Sequence, residues 1–192
     1  MILLKRVSYI GFLLAAALWL AACSNHAVAP SNMAIKGAPN WVNQGSRVLN
    51  DQDRRLIHGV GSAPAMNDLA LQTTTADKRA RTEVIKVLAS FMHVMYQDYS
   101  ASNGNGQDQQ TEQSASREIE SVINRNLSSV QVIAHWINPQ NGAVWSLAEL
   151  DMKGVKAIVA NSQEMNAGFK GFFANHADKV FDGMSNTAAN KQ

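Results

Sequence analysis

An apolar segment at the start of the chain decides which residues are left to fold. Lys5 and Arg6 form a short basic head, and an apolar run from Ile10 to Ala22 follows them. This run is shorter than the ~20 residues that a membrane-spanning helix needs. A basic head, a short apolar run and small residues at its end are typical of a cleaved secretory signal. We therefore predict that residues 1–22 are a signal peptide and that the chain from residue 23 folds after export.

The predicted cleavage point lies directly before the single cysteine of the chain. Leu20, Ala21 and Ala22 precede Cys23, and small residues leave room for a peptidase. The tetrapeptide resembles a bacterial lipobox, which implies a thioether-linked lipid on Cys23, an acyl group such as palmitate on its freed amine, and no other cofactor. An intermolecular disulfide or a reactive thiol is the alternative for an odd cysteine in an exported protein. An uncleaved signal anchor is the alternative for the leader.

The residues after the cysteine indicate where the protein resides. In enterobacterial lipoproteins an aspartate at this position retains the protein in the inner membrane, so Ser24 implies, by resemblance, the outer membrane; we expect the periplasmic face. Residues 23–38 have few large apolar side chains and include Pro30 and Gly37. This composition predicts a lipid-anchored flexible tether.

The charge balance bears on the class of partner. The chain has 17 Lys and Arg and 15 Asp and Glu, a net charge of +2. Lys5 and Arg6 account for this surplus, so the chain is neutral once the leader is removed. Because nucleic-acid binding depends on clustered basic residues that neutralise phosphates, we expect no nucleic-acid partner.

The pattern over 39–182 predicts a single α+β domain, in which a small, mainly antiparallel sheet is packed by one long helix and a C-terminal helix. In chain order we predict a loop over 43–55, a strand over 56–61 ending in a glycine turn, a helix over 66–98, a short helix over 118–126, strands over 127–137 and 143–150, and a helix over 152–180 that breaks near 166–168. Polar, apolar-poor composition predicts a disordered insert over 100–116 and a disordered tail over 183–192.

The turn between the last two strands determines which residues face each other. Asn141 and Gly142 suit a two-residue hairpin loop. Pro139 lacks the N–H that strand pairing needs, which favours a four-residue loop instead. That loop places Trp136 directly opposite Trp145. The pair then either forms an exposed stacking platform for sugar rings or, as we prefer, lies on a sheet face covered by a helix.

Motifs for catalysis and metal binding are sparse. No two histidines are four residues apart, so we predict no metal site. His58 and His135 lie in predicted strands and are expected to be neighbours across the sheet; with Asp151 they are the least favoured candidate, a scattered catalytic site. Lys78, Arg79 and Arg81 alternate with Asp77 and Glu83, which favours a solvated helix face over the alternative, an anion site. We therefore predict no catalytic residues and no enzyme activity.

The order of these motifs carries a resemblance to a known family. After the lipobox come Pro39-Asn40-Trp41-Val42, then His58-Gly59-Val60-Gly61-Ser62, then Ala76-Asp77-Lys78-Arg79-Ala80-Arg81, and finally Trp145 to Asp151. The sequence resembles the Lpp-twenty family of small bacterial outer-membrane lipoproteins over residues 39–97 and 127–151. The polar insert at 100–116 departs from the compact family pattern.

This resemblance implies a non-enzymatic α+β module at the outer membrane. Some members of the family assemble into rings or disks around the flagellar motor. We expect a structural or assembly role in which the chain associates with itself and with the membrane through its anchor, in flagellar disk or ring assembly and motility. The alternative is a binding module for peptidoglycan or another envelope glycan that uses Trp136 and Trp145; other envelope proteins are further possible partners.

Overall fold

Two β-hairpins build the sheet of this protein. The structure, a computed structural model, describes residues 34–102, 109–163 and 165–189. The strands are β1 (Arg47–Asp51), β2 (Arg54–Ala63), β3 (Gln131–Ile137) and β4 (Val144–Asp151). They pair antiparallel in the order β1-β2-β4-β3, so that each hairpin places one strand at an edge of the sheet.

The first hairpin corrects the predicted loop over 43–55. Arg47–Asp51 is an edge strand, and Val48, which is buried, lies opposite Ile57. Gln52 and Asp53 form the two-residue turn with φ of 47° and 65°. Positive φ at both central residues is the geometry of a type I′ hairpin turn. The sequence did not indicate this turn because Gln-Asp lacks the glycine that usually marks it.

Five helices surround the sheet in the described part of the chain, and the predicted α+β class is confirmed. They are α1 (Asn40–Gln44), α2 (Leu69–Ser102), α3 (Gln109–Asn126), α4 (Met152–Asn161) and α5 (Ala167–Ala189), with a 3₁₀ turn at Leu127–Ser129. All belong to one compact unit, Ile35–Gln192. The predicted break in the last helix lies between α4 and α5, where the Asn166 side chain accepts a hydrogen bond of 2.8 Å from the Gly168 N–H.

The long helix α2 lies directly on the middle of β2. A Cβ at Gly59 would collide with the backbone of Ala80 and Val84, and one at Gly61 with the backbone of Ala80. Gly59 and Gly61 are therefore mid-strand contact residues, and the predicted glycine turn is wrong because the strand continues to Ala63. Ala80 is fully buried, and its small side chain permits the close approach of this helix to the sheet.

An aromatic cluster joins α2 to α5. The Phe91 ring contacts Phe173 and Phe181 edge-on, each at a centroid distance of 6.0 Å. All three rings are essentially fully buried. Aromatic side chains bury a large area and gain further from edge-to-face geometry, so this cluster fixes α5 against the distal half of α2.

The structure differs from the predicted disorder at two places. Residues 100–102 continue α2 and 109–116 belong to α3, while 103–108 lie outside the described residues. In the predicted tail, 183–189 continue α5. Gln, Ser and Glu are acceptable helix residues, so an amphipathic helix extends into polar sequence whose lack of apolar residues had indicated a loop.

Candidate functional site

The sheet has two faces, and the long helix covers one of them. Side chains alternate along a strand, so the helix face carries Ser146 and Ala148 of β4, beside Gly59 and Gly61 of β2. The opposite side, called the second face here, carries two rows of side chains: Arg54, Leu56, His58 and Val60 from β2, and Trp145, Leu147, Glu149 and Asp151 from β4. The short helix α1 contacts β4.

Trp136 and Trp145 form a cross-strand pair on the second face. They are directly opposite in the β3–β4 register, as predicted. The predicted four-residue loop is also confirmed, since the Asn138 N–H donates to the Ala143 carbonyl at 2.8 Å and closes it. Both rings are half-buried, and the long helix lies on the other face. The pair therefore presents partly exposed aromatic surface on β3 and β4, at the end of the sheet away from β1.

One polar atom of this pair is unsatisfied. Nε1 of Trp145 is buried, and it has no hydrogen-bond partner among the described residues. A buried donor without an acceptor costs about 1–3 kcal/mol. Because this N–H is buried, it is a packing cost of the tryptophan pair and is not accessible to a bound molecule.

A charged row lies along the second face beyond the tryptophans. Nε2 of His58 is 3.0 Å from Glu149 Oε2, and the Arg54 guanidinium donates to the other oxygen of Glu149 at 2.9 Å. Arg54 also reaches Asp151 at 3.5 Å. The hydrogen bond to Glu149 is the main cause that raises the pKa of Arg54. The Glu149 carboxylate is thus held by His58 and Arg54, and Leu147 lies between it and Trp145 along β4.

The three residues of the scattered catalytic candidate do not meet. His135 lies on the helix face, where its Nε2 is 2.7 Å from Asp77 Oδ1. His58 lies on the second face, and β4 separates its strand from β3. Asp151 accepts a hydrogen bond from the Lys153 N–H and caps α4. The expectation that the two histidines are neighbours across the sheet is therefore wrong.

Asp77 is the residue that sequence analysis placed on the wrong side of α2. Its Oδ1 accepts from Ser146 Oγ at 2.7 Å as well as from His135. Asp77 therefore ties α2 to β3 and β4 and is not part of a solvated face. The sequence carries no local signal for this contact, because it depends on which strands lie beneath the helix.

Within 34–102, 109–163 and 165–189, no group of three or more His, Cys, Asp or Glu side chains is arranged to hold a metal ion. Among the same residues, no helix combines the length and apolarity that crossing a membrane requires. Leu20, Ala21, Ala22 and Cys23 lie outside the described residues.

The comparison with known proteins adds no relative. No protein-family model and no curated protein matches this chain, so the resemblance to the Lpp-twenty family stays a prediction.

Proposed function

We propose that this protein is a non-enzymatic, lipid-anchored lipoprotein of the outer membrane, on its periplasmic face, with a structural or assembly role. The observation that carries the proposal is the tetrapeptide Leu20-Ala21-Ala22-Cys23 at the end of a leader with the basic head and short apolar run of a secretory signal. The sole cysteine of the chain stands where a lipobox requires it.

Acyl chains on Cys23 supply the membrane affinity. Each buried CH₂ contributes about 0.8 kcal/mol, and one chain gives marginal binding, whereas two or more give stable attachment. The residues after Cys23 then link the lipid to the folded unit, which begins at Ile35. A flexible segment of this length has a root-mean-square span of about 20 Å, so the domain stays close to the membrane surface.

Self-association is the second part of the proposal. Strand β3 is an edge strand that carries no Lys, Arg, Asp or Glu. Its Ile133 and Ile137 are 49% and 52% exposed. Natural proteins usually use charged side chains or proline to keep an exposed edge strand from pairing with another chain, and β3 has neither. The bulge between Val132 and Ala134 interrupts pairing locally and leaves the second half of the strand regular. A role in flagellar disk or ring assembly, and so in motility, rests on the family resemblance alone.

The anchor is tested by mass spectrometry and fractionation. We expect the mature native chain to begin at Cys23 and to carry the mass of a diacylglyceryl group and an amide-linked acyl chain. Cys23→Ser is expected to lose the modification and the membrane association, whereas the neighbouring control Asn25→Ala keeps both. An unmodified thiol in the native chain, or unchanged fractionation of Cys23→Ser, would contradict the anchor.

Self-association is tested on the lipid-free chain in the absence of detergent. Light scattering over a range of concentrations is expected to give a mass above that of the monomer. Ile137→Lys, which adds a charge to the β3 edge, is expected to shift the protein toward the monomer. A monomer at every concentration counts against this part of the proposal and leaves the anchor untouched.

A second candidate function uses the Trp136–Trp145 pair. We infer an envelope-glycan binding module, with peptidoglycan as the first ligand to try, because sugar rings stack on partly exposed tryptophan rings and both rings of this pair are half-buried. Cosedimentation with purified sacculi is the test. Trp136→Ala is expected to abolish pull-down, while Ile137→Ala on the same strand preserves it. Equal pull-down of both variants would exclude this use of the pair.

A further inference from the structure

A groove runs along the outer side of α2, away from the sheet. One stripe of the helix lines it, and Leu127 of the 3₁₀ turn forms its far wall, enclosing about 460 Å³. The helical residues recur at intervals of three and four, and they are Thr74, Lys78, Arg81, Thr82 and Ile85. Residues at this spacing share one side of a helix, so the groove is a continuous surface.

The floor of the groove is apolar although two of its residues are threonines. The Thr74 hydroxyl donates to the Ala70 carbonyl at 2.8 Å, and the Thr82 hydroxyl donates to the Lys78 carbonyl at 2.9 Å. Since the backbone already satisfies both hydroxyls, the threonine methyl groups are left for the groove. Leu127 is 44% exposed. Ile85 packs against the core with one side and lines the groove with the other.

The groove has a rim of basic residues that are not neutralised. The two carboxylates that alternate with them in sequence are engaged elsewhere: Asp77 bonds to the sheet, and Glu83 accepts from Lys86 at 2.7 Å. Within the described residues, Lys78 and Arg81 form no ion pair. Arg79 donates to the Ser62 carbonyl and does not line the groove. Lys78 and Arg81 therefore place two positive charges at the groove, on the exposed helix face that the sequence predicted.

We propose that this groove binds an anionic phospholipid, with the headgroup phosphate at Lys78 and Arg81 and the upper acyl chain along Ile85 and Leu127. Charge complementarity selects an acidic headgroup, and an apolar floor next to that charge selects an amphiphile over a free anion. The inference rests on the proposed function in one respect, because the tether at 23–38 holds the domain within reach of the headgroups.

The membrane surface thus has two contacts with the chain. The lipid on Cys23 provides attachment that does not depend on headgroup charge. The groove provides an electrostatic contact worth about fivefold in affinity for each basic residue near an anionic surface, and it orients α2 toward the membrane. Once the anchor is in place, the groove meets the lipid headgroups at a high effective concentration. A weak intrinsic affinity of the groove for the lipid is therefore enough to keep it bound.

The test uses the chain from Ser24 onward without its lipid, which retains the whole compact unit, and measures sedimentation with vesicles. Vesicles of phosphatidylcholine with phosphatidylglycerol are expected to bind the protein, those of phosphatidylcholine alone to bind it far more weakly, and added salt to release it. The variant Lys78→Glu with Arg81→Glu is expected to lose at least about 25-fold in affinity. Both side chains are exposed, so the circular dichroism spectrum and the melting temperature should be unchanged.

The matched control carries the same charge change on α5, Lys170→Glu with Lys179→Glu, and is expected to bind nearly as the unmodified chain does. Leu127→Ser is expected to weaken vesicle binding severalfold and leave its salt dependence unchanged. An equal loss of vesicle affinity in the α5 control would show that general electrostatic attraction, and not the groove, accounts for binding. Equal binding to neutral vesicles, or binding of inorganic phosphate that competes fully with vesicles, would overturn the proposal. Each of these results is independent of the mass of Cys23, so the groove and the anchor fail separately.

Discussion

Asp77 connects three secondary-structure elements through a single carboxylate oxygen. It receives hydrogen bonds from His135 on β3 and from Ser146 on β4, while its backbone belongs to α2. Ser146 is fully buried. A buried hydroxyl that loses its acceptor costs about 1–3 kcal/mol, so the effect of one substitution at Asp77 spreads to all three elements.

We expect Asp77→Ala to lower the free energy of unfolding by about 2 kcal/mol, because it removes both hydrogen bonds and leaves Ser146 unsatisfied. Urea denaturation of the lipid-free chain measures it. Glu83→Ala is the control on the same helix, since it breaks an exposed pair with Lys86 that contributes ~0.5 kcal/mol or less. Equal effects of the two changes would show that Asp77 is a surface residue after all.

The glycines of this chain differ in the space around them. Gly59→Ala would place a methyl group against the backbone of Ala80 and Val84, and overpacking of this kind costs about 1–3 kcal/mol. Gly171→Ala meets no atom within 4 Å and lies in α5, where alanine is favoured by about 1 kcal/mol. We therefore expect the same substitution to lower the urea midpoint at Gly59 and to raise it at Gly171. A rise at both positions would contradict the close contact of α2 with β2.

At the scale of elements, ion pairs fix α5 to the sheet and aromatic rings fix it to α2. Arg55 of β2 donates to both oxygens of Asp182 at 2.8 Å, and Asn50 of β1 donates to the same carboxylate at 2.9 Å. Lys156 of α4 binds Asp178 one turn earlier at 2.9 Å. The exposed side of α5 is thus held at the edge strand, while Phe173 and Phe181 hold its buried side.

This attachment predicts a loss of stability in acid. The hydrogen bond from Arg55 holds the pKa of Asp182 below its usual value, so the unfolded chain takes up the proton first as the pH falls. The stabilisation is present above the ordinary aspartate pKa of about 3.9 and is lost as the pH falls through the lower, folded-state pKa. Asp182→Asn should therefore melt below the unmodified protein at neutral pH, and the gap should close in acid.

Melting temperature against pH measures this gap. Asp98→Asn, which removes an exposed carboxylate of α2, serves as the control. A gap between Asp182→Asn and the unmodified protein that persists unchanged to the acid end would mean that Arg55 and Asp182 do not interact in solution.

At the scale of the whole molecule, folding depends on residues far apart in sequence. Strand β2 pairs with β4 across the long α2 and α3 segment, and the α2 core is completed by α5 at the end of the chain. Sheet pairing of distant strands carries a loop-closure cost that local contacts do not have. The N-terminal half of the domain therefore cannot form the core by itself.

We expect a chain that ends at Ser185 to unfold in a single transition close to that of the full chain, since the residues removed contribute no buried side chain to the described core. A chain that ends at Asn166 lacks Phe169, Phe173 and Phe181, which are buried, and should not fold cooperatively. Thermal unfolding followed by circular dichroism distinguishes the two. A cooperative transition in the shorter chain would contradict the role of α5 as part of the core.

The sequence by itself determined the α+β class, the register that pairs Trp136 with Trp145 and the break before α5, because apolar periodicity, proline and capping residues act locally. Only the tertiary structure decided that Gln52-Asp53 closes a hairpin, that His58 and His135 lie on opposite faces, and that Asp77 leaves Lys78 and Arg81 without a carboxylate. These features depend on which strand lies beside which and on which side of a helix is covered. No local pattern encodes them, since the energies that select them come from contacts between segments distant in the chain.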